Sequence, residues 1–256
     1  MTQFLGVLSG KGGVGKTTST INIAAAINNF GKNVAAIDAN LTTPNIGLHL
    51  GVPVVPVTIH DALKGKAHIS EAIYMHPSGM KVIPGSISID DLKKVEPDNI
   101  GQIFSDIKEI DLCVVDSPAG LGNNTLAVLN AVDDVLVVTN PELPSVTDSL
   151  KSIKLAEKFG KNVIGVVVTR MSDKTDMSIK NIETMLDKKV IGVIPEDKSV
   201  RHALIKKDAV VHTHPKSKAA IAYKRLAAEL IGRPYKEQPK EEPFFYRLFK
   251  SLGLIK

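Results

Sequence analysis

Short apolar runs rich in Val and Ile recur along the chain and alternate with longer segments of helical period. Phe4–Ser9, Asn33–Asp38, Met80–Ile83, Leu112–Asp116, Val135–Thr139, Val163–Thr169 and Val190–Ile194 read as strands. Their near-continuous hydrophobicity implies burial on both faces, which predicts a mostly parallel twisted sheet covered by helices on both sides. The intervening helices are expected at Thr17–Phe30, Pro97–Glu109, Asn124–Val132, Ser145–Phe159, Ser178–Leu186 and Lys216–Ile231. After Gly232 the pattern breaks. Residues 233–243 contain three prolines and many charges and read as a linker, and residues 244–256 hold three of the seven phenylalanines. One α/β domain over 1–232, a linker and a tail is the organisation implied. No internal repeat is evident.

Composition narrows this picture. The 256 residues suffice for one α/β domain with a large core. The single cysteine, Cys113, sits in an apolar run and reads as a small buried hydrophobe. Paired-cysteine chemistry within the chain, whether disulfide, zinc ribbon or iron–sulfur ligation, is thereby excluded. The run beginning at Met1 enters a strand without signal-peptide features and contains no long apolar span, so a cytosolic location is expected. A net charge of +5 suits contact with a polyanion, nucleic acid or anionic lipid, without choosing between them.

Candidate chemistry begins at Gly10-Lys11-Gly12-Gly13-Val14-Gly15-Lys16-Thr17, which satisfies the phosphate-loop spacing, with a strand before it and a helix after it. Glycines let successive N–H groups curl around phosphates, and the helix N-terminus adds its positive dipole end. Lys16 reaches the terminal phosphates, and the Thr17 hydroxyl suits Mg²⁺. Asp116 ends a buried strand and precedes Ser117-Pro118-Ala119-Gly120. It is expected to hold Mg²⁺ through a water, with the Gly120 N–H near the γ-phosphate. His202, His212 and His214 show no acidic or cysteine partner at ligand spacing and read as exposed loop histidines; a strand at 212–214 would put two imidazoles on one side. His49, His60, His68 and His76 are scattered and suggest no site.

Lys11, directly after the first loop glycine and within Lys11-Gly12-Gly13-Val14-Gly15-Lys16-Thr17-Thr18, resembles the deviant Walker A loop of the MinD/ParA family of P-loop ATPases. The resemblance runs to about residue 232. Asp38-Ala39-Asn40-Leu41 with Pro44-Asn45 is similar to the switch I region, and Asp116 to Gly120 to switch II. Thr139-Asn140-Pro141-Glu142 and Val193-Ile194-Pro195-Glu196-Asp197 resemble the MinD branch, in which the second loop and the pair Thr169-Arg170 lie near the adenine. The resemblance implies ATP/ADP and Mg²⁺ as cofactors, with Thr17, Asp38 and Asp116 around the metal. It also implies a homodimer closed around two ATP molecules, Lys11 of each subunit reaching the other's phosphates. A lysine before the glycine turn carries more charge than one Mg-triphosphate requires, which supports the same role. Glu196-Asp197 also reads as helix capping.

The family usually carries aspartate at both ends of the switch I triplet, whereas here the second is Asn40. An amide orients water but accepts no proton, so turnover is expected to be slow. The tail resembles the membrane-targeting helix of MinD: Phe244, Phe245, Leu248, Phe249, Leu252 and Ile255 fall on one helical face, with Arg247, Lys250 and Ser251 on the other. The implied function is a membrane-cycling ATPase, peripheral on the inner face of the cell membrane. It would position a division or surface apparatus together with an unidentified regulatory or cargo protein. A ParA-like DNA-partitioning ATPase and a non-hydrolysing ATP-dependent scaffold remain the alternatives, with DNA the less favoured partner. An iron–sulfur carrier sharing the loop lacks its cysteine pair.

Overall fold

The computed structural model describes residues 1–92 and 96–235. The amphipathic tail expected at 244–256, with Phe244, Phe245, Arg247, Leu248, Phe249, Lys250, Leu252 and Ile255, lies outside the described residues, as does the linker from 236 onward.

The predicted apolar runs all become strands: β1 (Gln3–Leu8), β2 (Val34–Asp38), β4 (Lys81–Ile83), β5 (Leu112–Asp116), β6 (Asp134–Thr139), β7 (Asn162–Met171) and β8 (Val190–Pro195). A short strand that the pattern does not predict, β3 (Tyr74–Met75), pairs antiparallel to β4; every other pairing is parallel, in the order β3-β4-β2-β5-β1-β6-β7-β8. Two residues leave β3 too short for any periodic signal.

Between the strands lie α1 (Lys16–Asn29), α2 (Ile46–His49), α3 (Ile59–Leu63), α4 (Ile89–Leu92), α5 (Ile100–Ser105), α6 (Asn123–Ala131), α7 (Leu143–Lys158) and α8 (Ile179–Leu186), and after β8 come α9 (Lys198–Ile205), α10 (Val210–Thr213) and α11 (Lys218–Leu230). Period-2 alternation along each strand divides the core. Phe4, Leu8, Ile37, Val115 and Val137 face α3, α5, α6 and α7, while Leu5, Val7, Ala36, Val114 and Val138 face α1, α9, α10 and α11. Side-chain oxygens of Ser178, Asp197 and Ser217 accept hydrogen bonds from the backbone at the starts of α8, α9 and α11, which sets where those helices begin.

Two expectations are corrected. The helix expected over Pro97–Glu109 stops at Ser105. Glu109 takes a left-handed φ of 60°, and Ile107 and Ile110 turn into the core instead of continuing the helical face. His212 is not the exposed loop histidine expected: it lies half-buried in α10, which covers Val210–Thr213, and has an acidic partner, Asp208, four residues earlier. Burial pushes the Cys113 thiol up to about 12, so it behaves as a core residue.

Candidate nucleotide site

In an open parallel sheet, ligands bind at the C-terminal ends of the strands where the chain order reverses. Here that point is the end of β1, flanked by β5 and β6, from which the loop 9–15 leads into α1. Gly13 and Gly15 adopt left-handed φ values of 81° and 88°, a conformation that side chains oppose. Gly12 and Gly13 line a cleft at this loop, and a Cβ added at either would meet nothing within 4 Å. Gly10 is glycine for another reason. A Cβ there would sit 2.2 Å from the Asp148 carbonyl of α7.

Lys16 and Thr17 converge on Asp116. Lys16 Nζ is 2.7 Å from Asp116 Oδ1 and also donates to the Ser117 carbonyl, and Thr17 Oγ1 donates to Asp116 Oδ2 at 2.5 Å. Ser117 is anchored in turn through its hydroxyl to Val7 O, 2.7 Å away. The three expected phosphate and metal residues thus form one cluster, with Lys16 and Asp116 buried and Thr17 half-buried.

Asp38 lies in register beside Asp116 on the neighbouring strand, and both are fully buried. Burial first and then the Asp116 charge push the Asp38 carboxyl up to about 7, against the pull of Ile46 and Asn45 N–H groups and of Lys16. Two adjoining carboxylates with one lysine between them, next to a hydroxyl, form an oxygen-donor set that fits Mg²⁺. Thr17 and Asp116 would hold the ion with Asp38 beside it, and the ion would supply positive charge to the phosphates.

The loop after β2 closes over this acid pair. Asp38 Oδ2 accepts from the Asn45 and Ile46 N–H groups at 2.8 Å each, starting α2. Asn40 lines the phosphate cleft, but its amide is turned into its own loop: Nδ2 donates to Thr43 O at 2.8 Å, and Oδ1 accepts from Thr43 N at 3.3 Å. Lys11 is exposed on the rim of the same cleft, and its amine makes no hydrogen bond or ion pair among the described residues. The Gly120 N–H, expected near the γ-phosphate, donates here to Ser9 O at 3.1 Å; Pro118 and Ala119 line the cleft from that loop.

The phosphate cleft of about 490 Å³ runs into a second of about 590 Å³, and Gly15, Thr18, His49 and Arg170 line both. The second is walled by Ile194, Pro195, Glu196, Val200 and Leu204, an apolar slot suited to a base. Thr169 also lines it, with its hydroxyl spent on Val14 O at 2.6 Å and close to Asn140 Oδ1 at 2.8 Å, so it straps the phosphate loop to β7. Asp197 lines the slot while accepting from Ser199 N and Ala219 N. Burial raises its pKa, and those backbone donors outweigh burial to hold it below the ordinary carboxylate range.

Sequence reasoning missed His49 of α2, which lines both clefts and so stands at their junction. It also missed Tyr223, whose hydroxyl meets Ser19 of α1 at 3.1 Å behind the base slot. No local spacing marks either.

Comparison with known proteins agrees with this geometry. The ParA model, described as NUBPL iron-transfer P-loop NTPase, matches residues 1–231. An uncharacterized ATP-binding protein of Methanocaldococcus jannaschii is 40% identical over 256 residues, covering 98% of this chain and 97% of its own. Antiactivator FleN of Pseudomonas aeruginosa is 31% identical over 258 residues, covering 95% and 91%. The structure of septum site-determining protein MinD from Pyrococcus horikoshii, complexed with Mg-ADP, superposes with a TM-score of 0.86 at 32% identity, covering 90% of this chain and 96% of that one. The chain therefore belongs to the ParA family of P-loop NTPases, on its MinD-like branch, and is an ATPase that uses ATP and Mg²⁺.

Proposed function

We propose that this ATPase dimerises around two Mg-ATP molecules and, in that form, attaches reversibly to an anionic membrane surface to position a division or surface apparatus through a partner protein. The observation that carries the reading is Lys11. Lys16 already supplies the buried cation at the loop, whereas Lys11 stands exposed at the cleft with its amine uncommitted among the described residues. A second amine in that place suits the phosphates of a facing subunit. That the similar Pyrococcus horikoshii protein is a septum site-determining protein supports a positioning function.

Asn40 fits slow turnover, because its amide is held by the loop and offers no base to the attacking water. Residues 244–256 would act as the membrane anchor. Each buried Phe or Leu contributes roughly 1.5–3 kcal/mol and each basic residue about 1 kcal/mol on an anionic surface. Ordering a short helix offsets much of that gain, so one tail binds weakly. Pairing two tails raises attachment by on the order of 10²–10⁴, which links membrane residence to the ATP dimer. Among the described residues no helix is long and apolar enough to cross a membrane.

Light scattering with Mg-ATP and Mg-ADP, run beside co-sedimentation with anionic vesicles, tests the reading. Dimers and vesicle binding are expected with Mg-ATP alone, with Lys11→Ala abolishing both and Phe249→Glu abolishing only the second. A Lys11→Ala protein that dimerises normally rules out the cross-subunit role. Vesicle binding that ignores the tail, together with salt-steep DNA binding, would favour the DNA-partitioning alternative.

A further inference from the structure

Three side chains far apart in sequence meet beside the base slot. His76 follows β3, Asp208 lies between α9 and α10, and His212 is in α10. One oxygen of Asp208 is 2.8 Å from His212 Nδ1 and 3.7 Å from His76 Nε2. The two imidazole rings face one another, centroids 5.9 Å apart and planes inclined by 16°. One donor atom from each residue falls within 4.8 Å of the others. The His76 and His212 side chains are 9% and 13% exposed, so water reaches the cluster mainly past Asp208, at 28%.

Hydrogen bonding leaves part of this arrangement unexplained. At 3.7 Å the His76–Asp208 approach is too long for a hydrogen bond, and His212 turns Nδ1, not its unpartnered Nε2, toward the same Asp208 oxygen. Donor atoms sharing a tetrahedral ion at metal–ligand distances near 2.0–2.2 Å stand roughly 3.3–3.5 Å apart. The two separations to Asp208 bracket that value.

We propose that His76, Asp208 and His212 bind a divalent transition-metal ion of the zinc class, leaving one coordination position to solvent. Two imidazoles and one carboxylate suit Zn²⁺, Co²⁺ or Ni²⁺ and are poorly matched to Mg²⁺, which takes oxygen donors; the site is separate in chemistry and place from Thr17 and Asp116. His76 is already oriented for the role. Its Nδ1 lies 2.8 Å from Ser78 Oγ and 3.2 Å from Ser78 N, which directs Nε2 toward Asp208. The Ser78 N–H donates to Nδ1 in this structure; an ion on Nε2 would place the proton on Nδ1 and exchange that bond for one from Nδ1–H to Ser78 Oγ, the usual outer-shell bond of a metal-bound histidine.

The ion joins the turn between β3 and β4 to the wall of the base slot, since Asp208 lines that slot and the preceding Lys207 is in a left-handed turn with φ 56°. His214 has no part in it; its ring lies 6.0 Å from that of His202.

The test uses the full chain, stripped with chelator and titrated with Co²⁺ in excess Mg²⁺, which keeps the oxygen site out of the measurement. A single equivalent of Co²⁺ is expected to bind, with the visible absorption of a four- or five-coordinate ion, and Zn²⁺ should displace it. His76→Gln and His212→Gln should each weaken Zn²⁺ binding by about tenfold or more and remove the rise in Tm that Zn²⁺ produces in the parent, while His214→Gln changes neither. Circular dichroism establishes that each variant is folded, and Asp208→Asn, which keeps the side chain's size, replaces any that is not. Absence of Co²⁺ binding below millimolar concentration, or binding that survives His76→Gln or requires His214, overturns the site.

Discussion

The ends of β2 and β5 carry the same residue in register, Asp38 beside Asp116, equally buried, and the chain treats them in opposite ways. Asp116 has a cation and a hydroxyl, Lys16 and Thr17, delivered by the phosphate loop. Asp38 has backbone N–H groups from its own following loop, and its carboxyl is pushed up to about 7 by burial and by Asp116. One strand end is therefore tied to phosphate binding and the other to the shape of a loop. A buried carboxylate serves either purpose, and the donor that reaches it decides which.

The largest way to break this contrast is Lys16→Ala. Nucleotide binding should be lost in a titration with a fluorescent ATP analogue, because the amine that meets the phosphates is gone. Two buried carboxylates would then adjoin with no cation between them. Stability in urea should fall by about 3–5 kcal/mol, the usual result of removing one partner of a buried ion pair.

Next in size is the support beneath the Asp38 loop. His60 is fully buried, its Nδ1 accepting from Ser86 N at 3.0 Å and its Nε2–H donating to Leu41 O at 2.9 Å, so its neutral tautomer ties the loop to the segment after β4. Replacing it by Ala leaves both backbone groups unpaired and should cost about 2–4 kcal/mol. Burial holds the His60 pKa below 6.5, with the Leu41 carbonyl opposing that shift. Below pH 6.5 the unfolded chain therefore binds more protons at this residue than the folded chain. Stability is present above that pH and lost as pH falls toward the depressed folded value. Urea melts between pH 8 and 5 should show this acid-side slope in the parent and a shallower one in His60→Gln.

The smallest expected effect, and the one that sharpens the comparison most, is Asn40→Asp. The new carboxylate gives up the bond to Thr43 O and should lower stability by about 1 kcal/mol. It also offers the attacking water a base, and steady-state phosphate release should rise by about tenfold with little change in nucleotide affinity, below the usual range for a full general base because phosphoryl transfer relies mainly on positioning. Equal release from both proteins would mean that residue 40 serves the loop alone.

What could be read from the chain alone was what neighbouring residues encode. The parallel sheet followed from apolar runs, the phosphate loop from glycine spacing after a strand, and Asp116 from its place at the end of such a run. These signals are local because backbone turning and strand burial are decided within a few residues. Tertiary structure decided which groups serve as partners. Lys16 and Asp116 are 100 residues apart and Thr169 and Val14 are 155 apart, and only the strand order brings them together. The same order turned Gly120 toward Ser9, pressed Gly10 against α7, set His49 between the two clefts and gathered His76 with Asp208 and His212. A spacing rule registers residues one turn or one strand apart, whereas a contact across a sheet depends on packing all the elements at once, so these roles became visible only in the folded chain.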